Sequence, residues 1–269
     1  MVSLSSTAMT VSRRVILLGA AGAALTAACS RATGGQQSGT GSAARTPTPG
    51  TATPTESSAP VTSPPARSPR FAREVGHGDR SRSQVALTFH GNGDPALADR
   101  LLSLLEGHGV QGTVLAVGTW LQAEPQMARR IMRAGHDLGN HTWHHYVMPD
   151  LGPSAAYAEV QGCAKVLRRL TGSQRTWFRA SGTQHTTETI RRAAARGGYD
   201  RCISYDVDGL DWQDPAADVV VKAVLDGARR GSIVSLHLGH PVTIDALPDI
   251  LHGLRRRGLH PVTLTELLA

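Results

Sequence analysis

The chain has 269 residues, 40% hydrophobic and 4% aromatic, with 28 Lys plus Arg against 21 Asp plus Glu, a formal net charge of +7. The first 70 residues carry six Arg against one Glu, a net of +5, while the rest carry 22 basic against 20 acidic residues, a net of +2. A basic balance that comes from the leading segment argues against a nucleic-acid-binding face and fits a tail lying near an anionic membrane or wall.

Residues 1–29 read as an export signal. Ser12-Arg13-Arg14-Val15-Ile16-Leu17 matches a twin-arginine signal. The apolar run at 15–28 is too short and too rich in Ala and Gly to span a membrane. It ends in Leu25-Thr26-Ala27-Ala28-Cys29, which resembles a lipoprotein signal with Cys29 as the lipidated residue. The expected location is therefore the outer face of the cell membrane, by a lipid anchor, or the cell envelope after secretion. Residues 30–75 are dominated by Gly, Ser, Thr and Pro and cannot bury enough apolar surface to offset their ordering entropy, so a disordered linker is expected.

Residues 83–269 are one domain by size. Short apolar runs at 85–89, 113–117, 136–139, 176–178, 202–205, 232–236 and 261–264 predict strands. Helical spacing is predicted over 95–108, 126–134, 155–170, 186–196, 216–229 and 244–257. The first of these helices has apolar residues at Leu97, Leu101, Leu104 and Leu105, and Asp94-Pro95 suits its N-cap and first position. Alternating strands and helices imply an α/β fold with a parallel sheet; periodicity does not separate an open sheet from a barrel. Cys163 and Cys202 would meet an oxidising compartment if exported, and a disulfide and two buried free thiols are equally open. A monomer without nucleic-acid partners is expected.

Chemistry-bearing residues gather at the predicted strand ends. His141 and His145, four apart in Gly139-Asn140-His141-Thr142-Trp143-His144-His145, would share one face of a helical turn and grip a divalent metal. The other segments are Thr88-Phe89-His90-Gly91-Asn92-Gly93-Asp94-Pro95, Trp177-Phe178-Arg179-Ala180-Ser181-Gly182, Asp208-Gly209-Leu210-Asp211-Trp212 and Ser235-Leu236-His237.

In order and spacing these segments resemble the motifs of the polysaccharide deacetylases, the NodB homology domain or carbohydrate esterase family 4. The resemblance covers residues 83–269. It implies a distorted (β/α) barrel, a divalent metal, usually zinc, and hydrolytic removal of acetyl groups from an acetylated glycan of cell-wall or chitin-like type. It implies His141 and His145 as metal ligands, Arg179 as the arginine that orients the base, and Asp211 as partner of an acid histidine, His237. Trp212 would wall the pocket, and Trp143 is a second aromatic candidate for substrate binding. The first motif departs from the family pattern: His90 stands at the position of the base aspartate and Gly91 at that of the metal-ligand aspartate. His90 is then a candidate base or third ligand, and Asp94 another candidate ligand unless it serves as N-cap. Two functions follow: a metal-dependent deacetylase with a remodelled first motif, or a catalytically silent glycan-binding lipoprotein on the same scaffold.

Overall fold

A computed structural model describes residues 71–269. The export signal, Cys29 and most of the linker lie outside the described residues. In chain order the elements are β1 (Arg73–Val75), β2 (Gln84–Gly91), α1 (Pro95–Gly107), β3 (Thr113–Ala116), α2 (Gly118–Ala123), α3 (Pro125–Arg133), β4 (Asp137–Asn140) and α4 (Pro153–Thr171). They continue with α5 (Glu188–Arg196), β5 (Arg201–Ile203), β6 (Val207–Asp208), α6 (Ala217–Gly227), β7 (Ile233–His237), α7 (Pro241–Arg256), β8 (His260–Val262) and α8 (Leu264–Leu267).

The strands pair in parallel, in the order β4-β3-β2-β7-β6, with β8 beside the first residues of β2. A separate parallel pair joins β1 to β5. Phe178 bridges both Asn140 and Cys202, linking β4 to β5, and an antiparallel bridge ties His77 to Ser232 at the start of β7. The result is a distorted barrel, with the strand predicted at 176–178 reduced to the two bridges made by Phe178. The linker predicted over 30–75 ends earlier than expected. Ala72 is buried and Arg73–Val75 is a strand, because that short Arg-Glu-Val run finds a ready-made edge in β5.

Side-chain alternation on β2 sorts the two faces. Val85, Leu87 and Phe89 belong to the large apolar cluster with α1, α3, α6 and α7. Ala86 joins the inner cluster with Leu115, Ile203, Ile233, Leu264 and Leu267, so α8 plugs one end of the barrel. Thr88 and His90 share the inner face with Ala86 by the two-residue period of a strand. Since the strands run parallel, their C-terminal ends collect at one mouth, and His90, Asn140, Asp208 and His237 all stand there.

Candidate active site

His141 follows β4 directly. The expected helical turn does not form: residues 141–147 make a loop in which Thr142 and His145 have φ of 69° and 67°. The two imidazoles nevertheless meet, Nε2 to Nε2, at 3.1 Å. The loop is held by Glu159, a buried carboxylate on α4 that accepts from the backbone N–H of Trp143 (3.0 Å) and of His144 (2.8 Å) and from the His144 ring (2.7 Å). Sequence reasoning passed over Glu159. Its signal is an acid in the buried stripe of α4 with Ala156, Val160 and Cys163.

The second nitrogen of His141 donates to the carbonyl of Arg179 (3.1 Å), since a carbonyl only accepts; in the neutral ring Nε2 is then a bare lone pair. Burial pushes the His141 imidazole well below its ordinary 6.5, and the His145 charge pushes the same way. His90 is likewise pushed well down by burial and by its histidine and arginine neighbours. Its Nε2 accepts from the Arg179 guanidinium (3.2 Å), and Ser235 Oγ lies 3.1 Å away. The remaining nitrogen, Nδ1, is buried with no partner. His90, His141 and His145 each offer one nitrogen, all within 4.8 Å of one another, a set that can hold a metal ion. Two nitrogens on one tetrahedral zinc at about 2.0–2.1 Å are separated by about 3.3 Å, close to the His141–His145 spacing.

Arg179 is 1% exposed. Its Nε donates to the Ile203 carbonyl and one terminal nitrogen to that of Ser204, each at 3.1 Å. Burial pushes its pKa down to about 10, with Tyr205 and Asp208 opposing. On the other side of β2, Asp211 accepts the His237 ring Nδ1–H (2.8 Å), the His237 backbone N–H (2.7 Å) and the Thr243 hydroxyl (2.5 Å). This fixes the His237 tautomer with Nε2 free. Thr243, at the start of α7, carried no motif that would single it out. His237 and His90 have ring centroids 4.3 Å apart. A cleft of about 440 Å³ is lined by His90, His145, Tyr205, Asp208, Trp212 and His237, among others.

Two sequence candidates fall elsewhere. Asp94 offers no ligand to the histidine cluster: it is the N-cap of α1, accepting from Ala96 N–H at 2.8 Å, because Pro95 fixes the helix start there. Trp143 does not line the cleft. It packs against the apolar cluster, and its ring fills the space where a β-carbon at Gly118 or Gly162 would stand. Gly91 is also informative. A β-carbon there would meet Val114 Cγ1 at 2.8 Å and the Ala116 Cα at 3.0 Å, so position 91 faces β3 and the outer core, away from the cleft.

This metal-competent histidine cluster beside an Asp–His pair, at the mouth of a parallel distorted barrel, defines a hydrolase-like centre. The chain matches the model of the polysaccharide deacetylase family over residues 77–201, and the proteins it is similar to include deacetylases of carbohydrate esterase family 4. It is 28% identical over 211 residues to a chitooligosaccharide deacetylase of Bradyrhizobium sp. (72% of this chain, 96% of the relative). It is 28% identical over 188 residues to a peptidoglycan-N-acetylglucosamine deacetylase of Bacillus cereus (68% and 87%). Among solved structures, a family 4 pseudoenzyme from Bacillus anthracis superposes with a TM-score of 0.68 at 25% identity, covering 73% of this chain and 69% of that one.

Proposed function

We propose that this chain is an exported, lipid-anchored deacetylase that hydrolyses acetyl groups, N-acetyl first, from amino-sugar polysaccharides of the cell wall with zinc as cofactor. The observation that carries this reading is the His141–His145 nitrogen pair, spaced as two ligands of one ion, in a cleft with the Asp211–His237 pair. His141 and His145 would hold the ion, which supplies Lewis-acid polarisation of an acyl carbonyl, and His90, its Nε2 taken by the Arg179 guanidinium, stands beside them. All-nitrogen donors suit zinc. His237, its Nδ1–H held by Asp211, would take up at Nε2 the proton released as water adds to the acyl carbon and pass it to the leaving amine as the C–N bond breaks. Arg179 fixes the ring of His90, and Ser235 flanks it. Export and anchoring rest on Arg13-Arg14 and Cys29.

The test pairs zinc titration with acetate release from chitooligosaccharide and from peptidoglycan. One zinc per chain and acetate release, both lost in His141→Ala, are expected. Undiminished release by that variant would sink the reading. A Cys29→Ala variant should appear in the medium rather than the membrane fraction.

A second reading is a glycan-binding protein without turnover. It is favoured by Gly91, which leaves the cluster without a carboxylate, and by the buried Arg179, which has no carboxylate partner among the described residues. Chelator-insensitive glycan binding with no acetate release would select it.

A further inference from the structure

The end of the barrel that α8 plugs, where the strands begin, holds a second cavity of about 520 Å³. Arg175, Thr176, Trp177, Asp200, Arg201 and Thr265 line it, among others, and none has a part in the proposed chemistry. The bridge of Phe178 to Cys202 sets Trp177 beside Arg201, and the β1–β5 register sets Arg73 on the other side of Arg201. By strand alternation these side chains share the inner face with Val75 and Ile203. The Arg201 guanidinium lies over the Trp177 ring, with Cζ 5.7 Å from its centroid.

This end carries cations that the chain leaves unanswered. Neither Arg175 nor Arg201 takes part in an ion pair among the described residues. Arg175 Nε is buried with no partner. Arg73 and Arg201 stand directly opposite one another, and like charges so placed are destabilising unless an anion joins them. The nearest acids do not serve. Asp137 already takes the Trp177 indole (3.2 Å), the Thr265 N–H (2.9 Å) and the Thr113 hydroxyl (3.4 Å). Asp200 is exposed and pairs with neither guanidinium. A main-chain oxygen of Ala269 goes to Arg82 at 3.4 Å.

Hydroxyls complete the set of donors. Thr265 Oγ1 accepts from the Trp177 indole at 3.3 Å, which leaves its proton to donate. Thr176 is exposed on the same wall. Two guanidinium forks and two hydroxyls exceed what the two oxygens of one carboxylate can use. They suit the three terminal oxygens of a phosphomonoester, which arginine binds through parallel N–H donors. The cavity has room for the esterified group as well.

We propose that Arg175, Arg201 and Thr265 form a binding site for a phosphomonoester group at the end of the barrel opposite the catalytic cleft. The site stands apart from the deacetylase reading, and its ligand is not the substrate of the cleft.

The test is calorimetric titration of the full chain, at fixed ionic strength, with inorganic phosphate, glycerol 3-phosphate, dimethyl phosphate and acetate. Glycerol 3-phosphate should saturate one site per chain and bind about 10-fold or more tighter than acetate or dimethyl phosphate. Tighter binding of the ester than of inorganic phosphate supports the site with a small phosphorylated polyol as its ligand; equal binding supports it with the phosphate group alone recognised. Arg175→Gln and Arg201→Gln should each weaken glycerol 3-phosphate about 10-fold, in line with loss of a charge-assisted fork. Arg129→Gln, an exposed cation on α3 outside this lining, should leave it unchanged. Melting temperatures and zinc titration check that each variant folds. Arg201 lies on β5, so if its variant melts early, Arg175→Gln, outside any strand or helix, carries the test. No saturable binding by the wild type, acetate or dimethyl phosphate binding as tightly as glycerol 3-phosphate, or equal weakening in all three variants would each overturn the site.

Discussion

At the residue scale, the first motif and the second behave differently, and position 91 shows why. The sequence reads as if one carboxylate had been deleted from a metal site. In the structure the deletion is backed by packing: Gly91 faces outward against Val114 and Ala116, with no space for even a β-carbon. Gly91→Asp is therefore expected to lower the melting temperature, by overpacking of about 1–3 kcal/mol, and to leave zinc affinity unimproved. Thermal melting and zinc titration of that variant check this; tighter zinc with an unchanged melting temperature would show that the strand end rearranges.

At the element scale, strands and helices were largely legible because their apolar periods are strong, as in α1 with Leu101, Leu102 and Leu105 buried. Less legible were short pieces stabilised only by tertiary pairing: β1 in what read as linker, β6 with two residues, and α8 as a barrel plug. The loop after β4 is hard to read from sequence for a related reason. His-x-x-x-His spacing suggests a helical turn, but Glu159 caps the Trp143 and His144 N–H groups from another helix and holds the loop in a different path. The histidine pair was thus visible in sequence, while the element that positions it was not. Glu159→Leu removes both accepting oxygens and leaves the Trp143 and His144 N–H groups without their partner. It should lower zinc affinity about 10- to 100-fold although no ligand is touched, as outer-shell changes do. Unchanged affinity in a titration would mean that the loop holds itself.

At the scale of the whole molecule, neutral buried histidines set the pH response. His90 and His141 are held well below 6.5 in the folded chain, chiefly by burial. Unfolded, they titrate at about 6.5. Below that pH the unfolded chain takes up protons that the folded chain refuses, so stability is full above about pH 6.5 and falls on acidification. Each such ring contributes a slope approaching about 1.4 kcal/mol per pH unit. Denaturant melts at pH 8, 6.5 and 5.5 should show the fall; a flat profile would contradict it. Cys163 and Cys202, left open by sequence as a disulfide or two thiols, are both free and buried, and burial pushes each thiol up to about 12. Reductant should therefore leave the melting temperature unchanged, and a shift of several degrees would count against this arrangement.

The pairing of β2 with β7 has a consequence for biosynthesis. Thr88 on β2 bonds the carbonyl of Val234, which lies 146 residues later in the chain. A nascent chain that has emerged only as far as the loop after β4 already carries His90, His141 and His145, yet it lacks β7, which flanks β2 on its other side, and the Asp211–His237 pair. Contacts of such long range are slow to form. The centre is thus completed only after β7 has emerged, and a ribosome stalled before Ile233 would hold the three histidines without the cleft.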